Sequence, residues 1–425
     1  METSKIIQML REGIYDNKLK ELYVDSEKLE YEKKRYISAI EAYITRFGVG
    51  NVEIYSAPGR SEIGGNHTDH QHGEVLAAAI NCDAIAVVEK LESPYVRIVS
   101  EGYELIEIRL DELQMKEKEQ GTTQSLIRGI LFKAKEYGYC IGGFQAYITS
   151  DVLIGAGLSS SAAFETLIGT ILSHLYNCAE IPAVKIAMIG QYAENIYFNK
   201  PCGLMDQMAS SVGGLVHIDF QKPEEPVVER ILFDVDKQGY GLCITDTKGS
   251  HADLTSDYAA IPEEMKSVAR YFGKEVLGEV TKQELLSYLP DIRKHTGDRA
   301  VLRAIHFVCE NERVQQEVTA LKNDKFHEFL RLVKESGDSS YKYLQNVYTA
   351  HDIQHQGISV ALAVSDMFLG RKGASRVHGG GFAGTIQAFV PNECIGKYKE
   401  AMEKVFGAGT CNILKIRCDG GVKVI

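Results

Sequence analysis

The sequence predicts an α+β fold of two domains. Its 425 residues exceed what a single hydrophobic core usually serves. Strand patterns cluster early in the chain and are then followed by helices, without the regular alternation of a doubly wound sheet. A strongly periodic helix, preceded by glycines and serines, follows the early strands. Apolar content is ordinary, and no apolar run reaches the length of a membrane span. The net charge of −11 lacks the basic excess expected of a nucleic-acid binder. Nine cysteines without C-x-x-C spacing fit reduced thiols better than disulfides or a structural zinc. With no apolar signal-peptide core in METSKIIQMLREGIYDNKLKELY, the expected location is cytoplasmic.

In chain order, residues 3–47 predict two helices, the second ending in EKKRYISAIEAYITRFG, as an N-terminal helical extension over 1–47. NVEIYSAPGR predicts a short strand running into a loop. DAIAVVEKL, YVRIVSE and YELIEIRL predict strands, the last two joined as a hairpin at Glu101-Gly102. SLIRGILFKAKEYG predicts a helix stopped by Gly138, and FQAYITSDV a further strand. From Phe164 the apolar positions Leu167, Ile168, Ile171, Leu172 and Leu175 form one helical stripe. A helix carrying Glu194 ends near Asn199-Lys200-Pro201. A short helix with Asp206 follows, and then the strand LVHIDF. The expected lobes are 48–219 and 220–425.

Four segments carry candidate chemistry. RSEIGGNHTDHQHG, residues 60–73, concentrates three histidines, an aspartate and three glycines, and is open to a metal or a polar-ligand reading. Gly155-Ala156-Gly157-Leu158-Ser159-Ser160-Ser161 precedes the periodic helix. Serine is a preferred helix cap, glycine lets backbone approach a ligand, and a helix N-terminus offers free N–H donors, so the segment is either a capped helix start or a phosphate cradle. PCGLMDQ, 201–207, holds Asp206. HGGGFAG, 378–384, matches G-x-G-x-x-G but is followed by the strand pattern TIQAFV, where a dinucleotide-binding motif needs a helix. No Walker G-x-x-x-x-G-K-[ST] motif occurs.

Taken together and in this order, the segments resemble the GHMP kinases, and within them the galactokinases. The galactokinase motif G-R-x-N-L-I-G-E-H-x-D-Y is matched at Gly59, Arg60, Gly65, His67 and Asp69. G-L-S-S-S-A is intact at 157–162 and P-C-G-x-M-D-Q at 201–207, while G-G-G-F-G-G appears at 379–384 with Ala383. DTKGSHADLTSDY resembles the family segment that ends in a sugar-contacting tyrosine, here Tyr258. The similarity covers roughly residues 48–425.

The resemblance implies a two-lobed fold of mixed sheets with helices, the active site in the cleft between the lobes, and transfer of the γ-phosphoryl of ATP to a sugar's anomeric hydroxyl. Asp206 and Arg60 are the implied catalytic pair. Asn66, His67, Asp69, Gly203 and Tyr258 are the implied sugar-binding residues. The 155–161 loop, with Gly380 and Gly381, is implied to bind ATP, and Ser161 and Glu194 to hold Mg²⁺. The metal reading of the histidines recedes, since Asp69 is placed on sugar hydroxyls.

The family's glutamate stands as Asn66 here, its tyrosine as His70, and N-L-I as Glu62-Ile63-Gly64. Asparagine could accept a carboxylate at C6 that glutamate would repel, and H-x-D-H-Q-x-G is similar to the galacturonokinases. Galactose is the expected substrate, with galacturonate as the alternative. A non-catalytic sugar and ATP sensor would require loss of the serine segment or of Asp206, and both are present. The expected partners are a sugar and ATP, without nucleic acid or membrane. The oligomeric state is not legible.

Overall fold

The structure, a computed structural model of the chain, describes residues 1–153, 157–249 and 254–425. Three helices open it, α1 (Thr3–Arg11), α2 (Asp16–Tyr23) and α3 (Leu29–Phe47). The strands β1 (Glu53–Gly64), β2 (Glu74–Leu91), β3 (Tyr95–Ser100) and β4 (Ile106–Arg109) follow, then α4 (Thr123–Glu136) and β5 (Gly143–Ser150). Next come α5 (Ser160–Tyr176), α6 (Ala183–Tyr192), a π-helical turn (Ala193–Phe198), α7 (Met205–Val212), β6 (Leu215–Asp219), β7 (Val227–Ile231) and β8 (Tyr240–Asp246). The remainder is α8 (Thr255–Tyr271), α9 (Lys282–Ser287), α10 (Leu289–Thr296), α11 (Asp298–Lys322), α12 (Phe326–Ser339), α13 (Gly357–Leu369), β9 (Ala374–His378), β10 (Thr385–Pro391), α14 (Ile395–Phe406), β11 (Cys411–Leu414) and β12 (Val422–Lys423).

These elements build an α+β molecule with two sheets. The first has strand order β12-β1-β2-β5-β3-β4, with β6 and β7 added beside β2. The second is four-stranded, in the order β11-β8-β10-β9. The expected boundary between residues 219 and 220 falls inside the first sheet, because β7 pairs with β6 along Leu215↔Ile231 to Asp219↔Val227. That sheet also takes back the chain's end, pairing Tyr55 with Lys423 and Ser56 with Val422. One buried apolar cluster joins Ile63, Ile80 and Leu158 of the first half to Leu242, Ile244 and Phe389 of the second. The two layers therefore share a core.

The N-terminal helices are not a free extension. Ile6, Leu10, Tyr36, Ile40 and Tyr43 pack on Ile54, Ile85 and Val87 of the first sheet. Their anchor is the buried Asp83, which accepts from Arg35 Nη1 at 2.6 Å, Tyr23 Oη at 2.8 Å and Arg417 Nη1 at 3.1 Å. Burial opposes the charge of Asp83, but the two guanidiniums outweigh it and hold its carboxyl below the usual range. The two expected helices are three because Gly13 (φ +78°) and Val24 (φ +55°) interrupt the run.

β1 is longer than expected. It runs through Pro58, Gly59 and the first five residues of RSEIGGNHTDHQHG, with register shifts at Pro58/Arg60 and Glu62/Gly64. Such irregularities bend a strand and re-aim side chains, and Arg60 lies at the first of them. No described helix is long and apolar enough to cross a membrane.

Candidate active site

Arg60 and Asp206 meet as a two-pronged pair. Arg60 Nε lies 2.7 Å from Asp206 Oδ1, and Nη2 lies 2.7 Å from Oδ2. Arg60 also donates through Nη1 to the carbonyl of Gly157, and its backbone N–H donates to Leu158 O at 3.0 Å. β1 thus holds the serine loop and α7 together. Burial works against ionisation of Asp206, yet the Arg60 charge, its hydrogen bonds and the Ser159 hydroxyl win, and the net shift is downward. Asp206 is therefore a carboxylate at neutral pH.

The start of α5 departs from the capped-helix expectation. Ser159 stands at the cap position in a left-handed conformation (φ +58°), and its side chain makes no capping hydrogen bond. Its hydroxyl donates to Asp206 Oδ2 at 2.7 Å instead. The N–H groups and partial positive charge of the helix start are left for an anion. Ser160 and Ser161 form the first turn, while the Leu158 side chain is fully buried, so Leu158 can offer only its backbone to a ligand. A Cβ on Gly157 (φ +65°) would come within 2.9 Å of Thr385 Oγ1 and 3.2 Å of His378 Nδ1. The loop is thus pressed against β9 and β10, which only glycine allows. Gly155 and Ala156 lie outside the described residues.

Ser161 and Glu194 are brought together, Ser161 Oγ donating to Glu194 Oε1 at 3.1 Å. Glu194 projects from the π-helical turn, a widening often found at functional sites. Three donors missed in the sequence also hold it: Lys200 Nζ on Oε1 at 2.7 Å, with Gln207 Nε2 at 2.8 Å and Cys202 Sγ at 3.1 Å on Oε2. Beside it lies the buried Glu165, whose proton affinity is raised well above normal by burial and by the Glu194 charge. Glu165 is thus the more readily protonated member of the acid pair. Gln207 bridges the two, also donating to Glu165 Oε2 at 3.0 Å. Of these, Cys202 and Gln207 stand inside PCGLMDQ, whereas Lys200 carries no motif signal.

On the sugar-motif side, Asp69 accepts from the backbone of His70 at 2.9 Å. Burial, and then the charge of Asp206, push its carboxyl up to about 6. A Cβ on Gly203 would collide with Asp69 Oδ2, so the glycine of PCGLMDQ is what lets this carboxylate stand against the loop before α7. Tyr258 donates to Gly381 O at 2.8 Å, and burial raises its phenol to about 12.

Two of the expected sugar-binding residues have their polar atoms engaged by the protein itself. Asn66 is fully buried and faces protein on both ends of its carboxamide. Its Nδ2 donates to Glu62 Oε1 at 2.9 Å and Gly379 O at 2.8 Å, while Oδ1 accepts from Asn346 Nδ2 at 2.8 Å and Ser340 Oγ at 3.2 Å. Both ring nitrogens of His67 are engaged, Nε2 with Gly380 O at 3.0 Å and Nδ1 with His70 Nε2 at 3.2 Å. Burial lowers His67 to about 4 and His70 well below its usual value, so both rings are neutral. One chain of tautomers satisfies both, each ring donating through Nε2 and accepting at Nδ1. A neutral His70 adds no positive charge to attract a uronate.

Gly380 and Gly381, the expected ATP-binding glycines, also face the sugar-motif side through their carbonyls. Their carbonyls accept from His67, Asn346 and Tyr258, which makes the loop a clamp on the sugar motif. Asn346, which no motif marks, ties Asn66 to this loop. Among the described residues, no cluster of three or more His, Cys, Asp or Glu side chains could hold a metal ion.

The Glu62–Asn66 contact accounts for the altered motif. Where galactokinases carry asparagine and glutamate at these positions, this chain carries glutamate and asparagine, and the two hydrogen-bond each other. Glu62 is also paired with the fully buried Arg376.

Known proteins share both the motifs and this architecture. The model of the GHMP kinases N terminal domain matches residues 125–214, and the galactokinase galactose-binding signature matches residues 41–90. A galactokinase from Glaesserella parasuis serovar 5 (strain SH0165) is 30% identical over 366 residues, 84% of this chain and 89% of that protein. The chain belongs to the galactokinase family. A second member, from Actinobacillus pleuropneumoniae, is 28% identical over 90% of this chain and 97% of its own length. The crystal structure of Lactococcus lactis galactokinase complexed with galactose superposes with a TM-score of 0.78 at 24% identity, covering 91% of this chain and all of that one. The fold is therefore the GHMP kinase fold, and this family member is a sugar kinase.

Proposed function

We propose that the protein transfers the γ-phosphoryl of ATP to the anomeric hydroxyl of galactose, giving galactose 1-phosphate. The observation that carries the proposal is the Arg60–Asp206–Ser159 constellation at the uncapped start of α5. It puts a carboxylate, a guanidinium and a helix N-terminus in one place. Phosphoryl transfer asks mainly for alignment and for stabilisation of charge spread over the moving group. Asp206, held ionised by Arg60, orients the attacking hydroxyl and accepts its proton as the bond to phosphorus forms. A carboxylate of lowered pKa is a weak base, which suits a loose transition state where the proton leaves late. Arg60 stabilises the equatorial charge. Asp69 accepts hydrogen bonds from sugar hydroxyls, and Gly203 gives it room.

ATP is taken as its Mg²⁺ complex. The hydroxyl of Ser161 and the carboxylate of Glu194 are hard oxygen donors that fit this ion, which takes one or two protein ligands beside phosphate and water. Mg²⁺ would supply charge neutralisation between the phosphates. The raised proton affinity of Glu165 disfavours two negative charges on the pair. Galactose is favoured over galacturonate because the exchange at positions 62 and 66 is accommodated inside the protein, which removes the electrostatic argument for a C6 carboxylate. Mass spectrometry of the product, with galactose and galacturonate each supplied with ATP and Mg²⁺, tests the proposal. Galactose 1-phosphate is the expected product, and exclusive formation of a uronate phosphate would refute it.

A further inference from the structure

The structure points to a competitor for the metal built into the chain itself. Glu194 is held asymmetrically. Its Oε2 is occupied by Gln207 and Cys202, both on the protein side, while Oε1 carries the Ser161 hydroxyl and the Lys200 ammonium. The carboxylate is nearly inaccessible, with 4% of its side chain exposed, whereas 60% of the Lys200 side chain is exposed. The carboxylate cannot move away from its partners, but the lysine can.

The lysine's place is set by the backbone. The π-helical turn ends at Asn199 in a left-handed conformation (φ +66°), and the Lys200 N–H closes onto Glu194 O at 3.0 Å. The chain turns back over Glu194 there, so Lys200 is delivered to the carboxylate rather than reaching it by chance. The Lys200 ammonium and the Glu194 carboxylate are thus held as a contact ion pair, Nζ 2.7 Å from Oε1.

We propose that Lys200 is a resident counter-cation of Glu194, which occupies the metal-facing oxygen and must leave it before a divalent cation can bind. The inference rests on Glu194 being the cation's protein ligand. Two cations cannot share one carboxylate oxygen at contact without strong repulsion, so the ammonium and the metal exclude each other. Free Mg²⁺ alone would then bind poorly, and productive metal binding would be coupled to the arrival of nucleotide, whose phosphates offer the displaced ammonium new acceptors.

The test uses Mn²⁺ as probe, with neither sugar nor nucleotide present, read by water-proton relaxation. Lys200→Met should bind Mn²⁺ at least about tenfold more tightly than wild type, in line with loss of a contact repulsion. Lys200→Arg, which keeps the charge, should bind like wild type, and the gain should vanish in Lys200→Met/Glu194→Gln. Lys200→Gln carries the same expectation as Lys200→Met and guards against a folding defect peculiar to one variant. A Lys200→Met protein that binds Mn²⁺ no better than wild type would overturn the proposal, and so would a gain that survives Glu194→Gln. Because no sugar enters the measurement, its failure is distinct from failure of the galactose assignment, which would appear as absent phosphoryl transfer.

Discussion

Asp206 and Asp69 carry the same chemical group, and their surroundings push their proton affinities in opposite directions. Arg60 and Ser159 hold Asp206 ionised, while burial and the Asp206 charge raise Asp69 to about 6 from an ordinary 3.8. Asp206→Asn keeps the shape but removes the charge and the proton acceptor. It should lower kcat about 100-fold or more with ATP affinity retained, as steady-state rates and calorimetry can show. For Asp69, the raised folded value means that its ionised form is penalised by folding. Its contribution to stability is fully present below pH 3.8 and lost as pH rises through about 6. Asp69→Asn should therefore be more stable than wild type at neutral pH, by up to about 3 kcal/mol, the linkage energy of a carboxyl raised that far. The gap should close below about pH 4 in denaturant titrations. The same substitution should weaken sugar binding, and in the wild type kcat/KM for sugar should fall as pH drops below about 6. A destabilised Asp69→Asn at neutral pH would contradict this assignment.

At the scale of elements, the loop entering α7 and the start of α5 each depend on a missing side chain. Gly203→Ala would drive Cβ into Asp69. It should raise KM for sugar by about tenfold or more while changing KM for ATP less than about threefold, since the displaced group faces the sugar motif. Equal effects on both substrates would mean that the loop itself has collapsed. Gly157 is a different case. Its neighbours on β9 and β10 mean that a branched side chain there strains the contact between the two sheets as well as the phosphate loop, so loss of ATP binding in Gly157→Val would come with lost stability.

Much at this scale was legible. The 3–4 residue stripe after Phe164 announced α5, and the alternating runs around Glu101-Gly102 announced the β3–β4 hairpin. β1 was cut short because Pro58, Gly59 and Gly64 carry loop signals, and only pairing with β2 overrides them. The π-helical turn under Glu194 was not legible either, since its apolar spacing is indistinguishable from that of an ordinary helix over so few residues.

At the scale of the molecule, one buried polar hub joins both halves. Asn66 contacts β1, the glycine clamp and the segment following α12, and its carbonyl meets His306 of α11 at 2.9 Å. Glu310 of α11 caps the backbone N–H groups of Gly65 and Asn66 at 3.3 and 3.4 Å. Residue type alone made Asn66 look like a substrate contact, because three of the four partners of its carboxamide, Ser340, Asn346 and Gly379, lie more than 270 residues away along the chain. The ordered motifs carried Asp206, Arg60 and Ser161, and the family resemblance carried Glu194, whereas Asn346 and Lys200 needed the structure.

The hub yields a stability prediction. Asn66→Glu would bury a second carboxylate beside Glu62 and should cost about 3–5 kcal/mol, as an uncompensated buried charge does. The reciprocal double substitution Glu62→Asn/Asn66→Glu restores one acid and one amide and should recover most of that loss. Denaturant unfolding of the two variants checks both statements, and an additive double variant would mean that the pair is not coupled.

Whether this chain is a working galactose 1-kinase is decided most directly by ADP release from Mg²⁺-ATP across a panel of hexoses and hexuronates. Galactose should give the highest kcat/KM, with phosphate on the anomeric oxygen, and Asp206→Asn should lower the signal by about two orders of magnitude. No ADP release above background with any sugar, or a rate unchanged in Asp206→Asn, would contradict that assignment.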